Sequence, residues 1–472
     1  MPEVLSEQKM EWLVDRVVER LQGKSPATEF RRVGTPCGTE HGIFPTIDEA
    51  VDKATTAFHE LAKCSLKQRS AMIANIRRLI GNATEELARD TVAETQMGRV
   101  DDKIIKLTLA VEKTPGVEDI EPQVFSGDDG LTLMERAPFR VIASITPVTN
   151  PVDTIVCNGI GFLAGGNTAV FNAHPRAKKV CQKAIEIMNQ AILEAQGPAN
   201  VFCTIQEPTI ASAQELMKHD GVKLLVVTGG PGVVKEAMRS GKRAIAAGPG
   251  NPPVVVDTTA DLDQAARDIV FGASLDNNLI CVLEKEIIAV ESIADKLLEK
   301  MQQHKAVKLS SYHLRQLEPL LIDGDHSRAE WVGQDAEKIL EQIGLKVPDT
   351  RLLVAEIPEN HPFVQIEMLM PVIPMVRVKD VQAAIDCAYR CEHNFFHTAV
   401  IHSKNIDAMS EMAKRMNVSI FVKNAPSVAG LGYQGEGFTS YTIAGPTGEG
   451  MTRARTFTRE RRCTLKGHFR II

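Results

Sequence analysis

Between Met10 and Leu21 the apolar residues Met10, Leu13, Val14, Val17, Val18 and Leu21 recur at spacings of three and four, with Glu11, Asp15, Arg16, Glu19 and Arg20 between them. This is one stripe of an amphipathic helix. The following "GKSPATEF" reads as a linker. Residues 1–22 are therefore assigned to a helix and 23–41 to a linker. The stripe either packs on its own domain or docks on a partner; its shortness and the immediate linker favour docking. From about Ile43 to Val117 the helical period continues, and Thr46 with Glu49 three residues on has the spacing of an N-cap and capping box.

Farther along, the period changes. "GLTLMERAPFRVIASI" reads as a strand, a turn and a strand. Short Val- and Ile-rich runs then alternate with helical segments. Strands are predicted at "RVIASI", "NTAVF", "NVFCT", "KLLVVT", "RAIAA" and "PVVVD", with helices such as "RAKKVCQKAIEIMNQAILEA" and "TIASAQELMKH" between them. After Cys281 a second alternation follows, with strands at "KEIIAV", "RLLVAEI", "VIPMVRV", "HTAVIH" and "SIFVKN". Such alternation predicts parallel, doubly wound sheets, so the fold class is α/β with two such domains. The tail "RARTFTRERRCTLKGHFRII" is strand-like and too short to be a domain.

Composition narrows the function classes. At 472 residues the chain is too long for one ordinary domain. Hydrophobic residues at 44% and charged residues at 24% describe a folded globular protein. A net charge of −6 argues against nucleic-acid binding as the main role. The least charged stretch, 141–173, is broken by Pro147, Pro151 and several Asn and Gly, so it is not read as a membrane span. The cysteines stand at 37, 64, 157, 181, 203, 281, 387, 391 and 463, without a CxxC. Cys387 and Cys391 sit four apart with no second Cys or His pair at zinc-ligand spacing, so no metal site is expected. Their odd number without a signal peptide suggests reduced thiols in a cytosol.

Four segments have chemical potential. "VVTGGPGVVKEAM" places Gly229, Gly230 and Gly232 between a strand and a helix, which suits either a dinucleotide phosphate or a plain βα turn. "GIGFLAGG" imitates a dinucleotide fingerprint, but its last spacing is too long and no strand precedes it. "AAGPGNPPVVV", with Gly248 and Gly250, is a rigid loop entering a strand. "TPVTNP" puts Thr149 and Asn150 at the carboxyl end of a strand, where open α/β sheets bind ligands; an amide there donates to an oxyanion or begins an Asn-Pro turn. In "LDNNLICVLEK" the question is Cys281. A lone cysteine is more often a small buried apolar residue, and Cys157, Cys181, Cys203, Cys387, Cys391 and Cys463, on predicted helices or strands, fit that description. Cys281 instead follows a polar Asp-Asn-Asn turn where the two α/β halves join, a place where clefts form.

The order of "TPVTNP", "GGNTAVFNAHP", "LLVVTGG", "AAGPGNPPVVVD", "DNNLICVLEK", "EMLMPVIPMVRV", "FHTAVIHSKNID", "SIFVKNAP" and "PTGEGMTRARTF" resembles the aldehyde dehydrogenase superfamily over almost the whole chain. It is most similar to the CoA-acylating branch of bacterial microcompartments that degrade ethanolamine or propanediol. The resemblance implies that Cys281 adds to a short aldehyde, propionaldehyde or acetaldehyde, and that hydride passes to NAD and the acyl group to coenzyme A. It implies an oxyanion held by the Cys281 backbone N–H and the side chain of Thr149 or Asn150, with the amide favouring Asn150. Hydrolytic relatives carry a water-activating glutamate where this chain has Ala246. Losing such a base typically costs about 10²–10⁴-fold, so the pocket is expected to lack a carboxylate for solvent release and to favour thiolysis. His397 is either an assistant to the CoA thiol or a strand-edge histidine.

For the nucleotide, the resemblance implies Thr228, Gly229 and Gly230 at the phosphates and Glu367 at the nicotinamide ribose. Asn172 falls where relatives hold the adenosine ribose with a lysine, which leaves NAD against NADP open. His174 and Pro175 border the NAD and CoA site, and Gly248 and Gly250 are counted on the cofactor side. The implied domains are 42–120 with 139–255 for nucleotide binding, 256–452 for catalysis, and 121–138 with 453–472 as oligomerisation strands of a homodimer or homotetramer. The five arginines between Arg453 and Arg462 fit either a CoA-phosphate patch or that oligomer edge. The N-terminal helix would tether the enzyme to microcompartment shell proteins, placing it in the cytoplasm, in the microcompartment lumen.

Overall fold

Two all-parallel sheets organise the chain. The computed structural model describes residues 41–472; the helix expected over 1–22 and the linker up to residue 40 lie outside the described residues. In chain order the strands are β1 (Ile43–Phe44), β2 (Gln123–Gly127), β3 (Gly130–Pro138), β4 (Val141–Ile145), β5 (Thr168–Asn172), β6 (Phe202–Ile205), β7 (Val222–Thr228), β8 (Ala244–Ala247), β9 (Pro253–Val256) and β10 (Glu286–Val290). They continue with β11 (Ala306–Leu309), β12 (Ile322–Asp323), β13 (His326–Ser327), β14 (Leu352–Glu356), β15 (Val372–Val378), β16 (Thr398–His402), β17 (Ile420–Lys423), β18 (Ile443–Ala444), β19 (Gly450–Met451) and β20 (Thr458–Lys466). The helices the argument uses first are α1 (Ile47–Leu61), α2 (Leu66–Thr95), α3 (Val100–Lys113), α4 (Pro151–Ala164), α5 (Lys178–Glu194), α6 (Ile210–Lys218), α7 (Pro231–Arg239) and α8 (Leu262–Ser274).

The first sheet runs β1-β6-β5-β4-β7-β8 and the second β11-β14-β15-β10-β9-β16-β17. Side chains on a strand alternate between faces, and both faces of each sheet are covered. On β4, Val141, Ala143 and Ile145 pack with Ile47, Val51, Leu216 and Met217 of α1 and α6. Ile142 points the other way, with Phe162 and Ile185 of α4 and α5. The second sheet divides likewise: Val255 and Ile288 belong to one core, Val254, Val256, Ile287 and Ala289 to the other. That latter core is the one containing Ile142, so one apolar interior continues from the first sheet to the second.

Four expectations need correction. The first two residues read as helical, Ile43–Phe44, form β1 on the edge of the first sheet. β9, placed in the nucleotide-binding half that was taken to end at 255, pairs with β10 and β16, so the sheets part in the loop 248–252. The run Thr439–Thr452 was assigned to the catalytic half, yet Thr442 Oγ1 lies 2.8 Å from Thr228 Oγ1 and Thr447 Oγ1 accepts from Ala246 N at 3.1 Å, both in the first sheet. β3 and β4 are not a hairpin: β3 pairs with β2 and β20 in a separate antiparallel sheet. The Thr46 hydroxyl does cap α1 through Glu49 N at 3.3 Å. Among the described residues no helix is long and apolar enough to cross a membrane.

Candidate active site

Cys281 sits just before β10, and its burial is exceptional. From residue 272 to 290 every other residue is buried, whereas Cys281 is partly exposed. Cys157, Cys181, Cys203, Cys387 and Cys391 are buried, as read from the sequence; Cys463 is the correction, being exposed on β20.

The turn before Cys281 is built from three consecutive residues in the left-handed region: Asp276 (φ 47), Asn277 (φ 54) and Asn278 (φ 65). Glycine tolerates that conformation because it has no Cβ to clash, and short polar side chains because they can hydrogen-bond in compensation. Every member is pinned. Asp276 N donates to Asp102 Oδ2 at 2.9 Å and Arg99 N to Asp276 Oδ1 at 3.0 Å. Asn277 Nδ2 donates to Gly333 O at 2.9 Å, and Asn278 Nδ2 to Ala273 O at 2.8 Å. Two buried lysines of α3, Lys103 and Lys106, reach Asp276 Oδ2 at 3.0 and 2.6 Å. Burial works against the charged form of Lys106, but Asp276 and Asp153 outweigh it and hold its pKa above the ordinary value.

Lys106 links this turn to the "TPVTNP" segment: its Nζ also donates to Thr149 O at 3.4 Å. Asn150 is the N-cap residue of α4, yet its side chain makes no capping bond there. Its Nδ2 donates to Thr149 Oγ1 at 3.2 Å, and its buried Oδ1 has no partner. An amide spared from capping is available to a ligand.

On the other side stand Gly250, His397 and Glu367. A Cβ on Gly250 would lie 2.9 Å from Cys281 O and 2.9 Å from His397 Cγ, so the three residues meet at a point where only glycine fits. Gly250 N donates to Glu367 Oε1 at 3.4 Å. His397 Nδ1 lies 2.9 Å from Thr398 Oγ1, and its buried Nε2 has no partner. Burial, with Lys285 nearby, pulls the His397 pKa down to about 3, so the ring is neutral. The Cys281 thiol is pushed up to about 12, first by burial and then by the charge of Glu367. Position 246 is alanine, and the carboxylate whose charge bears on the thiol is Glu367, held by Gly250 N at 3.4 Å.

Lys285 was missed. It is buried, donates from Nζ to Asn278 O at 2.9 Å and counters both Glu367 and Cys281. Burial pulls its pKa below the ordinary value. The "EK" after the cysteine was its only sequence signal, and nothing local distinguishes a buried lysine from a solvated one.

The nucleotide residues divide. Gly230 starts α7 without a side-chain cap, and Cβ atoms on Gly230 or Gly232 would meet nothing within 4 Å, so an anion has room at that helix start. Thr228 is engaged by Thr442, as noted above. Asn172 does not fit a ribose contact: its Oδ1 accepts from Ser212 Oγ at 2.7 Å and its Nδ2 donates to Thr209 O at 3.3 Å. The exposed side of His174 is narrowed because its Nδ1 accepts from Arg176 N at 3.2 Å; Pro175 opens the short turn before α5. Gly248 lies against Pro446, 3.3 Å from an added Cβ. A cleft of about 640 Å³ holds Arg136, Arg243, Arg453 and Arg455 but none of these site residues. Arg453 pairs with Asp119 at 2.9 Å.

Comparison with known proteins agrees with this geometry. The aldehyde dehydrogenase family matches residues 20–319. An acetylating acetaldehyde dehydrogenase of Salmonella typhimurium is 48% identical, over 99% of this chain and all of its own. A CoA-propanoylating propanal dehydrogenase of the same species is 44% identical over 91% of this chain and 93% of its own. Among solved structures, Rhodopseudomonas palustris propionaldehyde dehydrogenase with bound propionyl-CoA superposes with a TM-score of 0.89 at 46% identity, covering 90% of this chain and 96% of that one. A propionaldehyde dehydrogenase from the Clostridium phytofermentans fucose utilisation bacterial microcompartment gives 0.90 at 44%, covering 92% and 100%. With two parallel sheets, a partly exposed cysteine where they join and near-complete coverage by these relatives, the chain belongs to the aldehyde dehydrogenase family.

Proposed function

We propose that this protein is a CoA-acylating aldehyde dehydrogenase that converts propionaldehyde or acetaldehyde to the acyl-CoA through Cys281. The observation that supports it best is the partly exposed Cys281 set among Gly250, His397, Glu367 and Lys285, with alanine at 246. Cys281 gives up its thiol proton to solvent, and its Sγ adds to the aldehyde carbon. The oxyanion accepts from the Cys281 backbone N–H and from Asn150 Nδ2, which gives up its 3.2 Å bond to Thr149. NAD, when bound, supplies the hydride acceptor. The resulting acyl thioester on Cys281 is attacked by the CoA thiol, and the Cys281 thiolate leaves. His397, with Nε2 free of protein partners, takes the thiol proton; its affinity for that proton rises as negative charge returns to Cys281. The room for an anion at Gly230 and Gly232 suits the dinucleotide, and Gly250 holds Glu367 on the cofactor side.

Glu367 also supports a second reading, a hydrolytic enzyme in which that carboxylate activates water. The two separate cleanly. Purified protein is given aldehyde and NAD⁺ with and without CoA. NADH formation that requires CoA, with acyl-CoA as product, is the expected result; equal rates with free acid as product would replace the acylating reading by the hydrolytic one.

Two assembly proposals accompany this. β2 leaves Val124 and Phe125 at 58% and 57% exposure on the edge of the β2-β3-β20 sheet, which suits pairing into a homodimer or homotetramer. The amphipathic stripe at 10–21 suits docking on a microcompartment shell. Removing residues 1–22 should leave activity in solution and abolish encapsulation; unchanged shell association refutes the targeting role.

A further inference from the structure

Helix α9 (Glu291–Gln303), α10 (Ser311–Leu321), α11 (Ala336–Glu341) and α12 (Pro362–Gln365) lead to α13 (Val381–Cys391), which turns two sulfurs to one face. Cys387 and Cys391 are fully buried, with their Sγ atoms 3.9 Å apart. Glu359 brings a carboxylate oxygen to them, and the three ligand atoms all lie within 4.8 Å of one another. Behind them on β10 is Glu286, fully buried, a charge neighbour of both cysteines, with neither carboxylate oxygen hydrogen-bonded. A buried carboxylate without partners is costly, and apolar packing gives no reason for one.

We propose that Cys387, Cys391 and Glu359 form a binding site for Zn²⁺ or another thiophilic divalent cation, with the buried, unpartnered Glu286 as a further acid beside it. Two thiolates and a carboxylate oxygen are three donors of the kind a tetrahedral zinc site accepts. Binding exchanges the two S–H bonds for two metal–sulfur bonds and releases the protons to solvent, with no change of oxidation state. Arg390, which holds Glu359 at 2.6 and 2.8 Å and is itself exposed, must swing outward. The site lies directly behind the catalytic loop: Asn251 Nδ2 donates to Cys391 O at 2.9 Å, and His397 N donates to Glu392 Oε1 at 2.8 Å. The metal would thus fix the backbone from which His397 projects.

The test uses the full chain carrying Cys281→Ala, so that the catalytic sulfur cannot ligate, kept reduced without thiol reagents and titrated with Cd²⁺. A single equivalent should raise a thiolate-to-Cd²⁺ ultraviolet band that Zn²⁺ displaces. Adding Cys387→Ser with Cys391→Ser should abolish the band, and Glu359→Gln should weaken binding by about tenfold or more. No band in the parent, or an undiminished band in the double serine variant, overturns the site. Should the serine pair impair folding, the half-exposed Glu359 position decides alone, because unchanged affinity in Glu359→Gln also overturns it.

Discussion

Gly250→Ala is the sharpest probe of how this site is held together. The added Cβ would stand 2.9 Å from Cys281 O and 2.9 and 3.1 Å from His397 Cγ and Cδ2, where ordinary contact begins near 3.4 Å. One group must therefore move by about 0.5 Å. The carbonyl cannot move freely, since Cys281 follows a turn pinned at all three residues and is flanked by buried neighbours. His397 cannot either, tied by its backbone to Glu392 and by its ring to Thr398. Overpacking of this kind costs about 1–3 kcal/mol. A misplacement of about 1 Å costs roughly 100-fold in rate, so half that distance predicts a kcat lower by about 10- to 100-fold, or about 1.4–2.7 kcal/mol of barrier. The assay is NADH formation with aldehyde and CoA, with denaturant unfolding run alongside. Gly81→Ala on α2 is the control, because its Cβ meets only Val111 Cγ1 at 3.9 Å, ordinary contact away from the site residues, and should change kcat little. If Gly250→Ala retains kcat within twofold while remaining folded, the packing of Cys281 against His397 does not set the reaction geometry.

Other outcomes follow from the same contacts. Cys281→Ala should lower CoA-dependent turnover by at least about 10⁴-fold while leaving the unfolding midpoint nearly unchanged, as loss of a nucleophile does; retained turnover would dismiss the nucleophile. With its thiol pushed up to about 12, Cys281 in the free protein should be alkylated about tenfold faster per pH unit from pH 7 to 9; mass spectrometry of its peptide checks this, and a plateau above pH 8 contradicts it. His397 and His402 are neutral in the fold, with pKa values pulled by burial to about 3 and about 4, below the unfolded value. Because the unfolded chain binds protons first, stability is intact above about pH 6.5 and falls as pH drops toward 4. The loss at pH 5 is roughly 2 kcal/mol for each, read from denaturant midpoints. Ser427→Ala removes the Oγ–H donated to buried Glu284 at 2.7 Å and should destabilise by about 1–3 kcal/mol.

What could be read from the chain and what could not divide along a physical line. Strand and helix alternation was legible because both faces of each sheet are covered, so β4, β7, β9 and β10 appear as short runs rich in Val, Ile and Leu. β1 was not, since two residues display no period. Nor was the sheet to which "PVVVD" belongs, because pairing partners are set by tertiary packing and not by the run itself. Cys281 stood out through its Asp-Asn-Asn prefix. The reason for that prefix, three left-handed residues pinned by Asp102, Gly333 and Ala273, involves groups as far as 174 positions away. Glu367 was seen as a ribose ligand, and its bond to Gly250 N, 117 positions away, was invisible for the same reason. Asn172 was misjudged because its bonds to Ser212 and Thr209 form only when α6 docks.

The continuous interior beneath both sheets makes the two halves thermodynamically inseparable. A chain severed in the loop 248–252 would leave Val254, Ile287 and their neighbours facing water on one fragment and Ile142 and Phe162 on the other. Each piece would keep only its own outer core and lose the shared one, so activity should return only on mixing, at a rate set by collision between fragments.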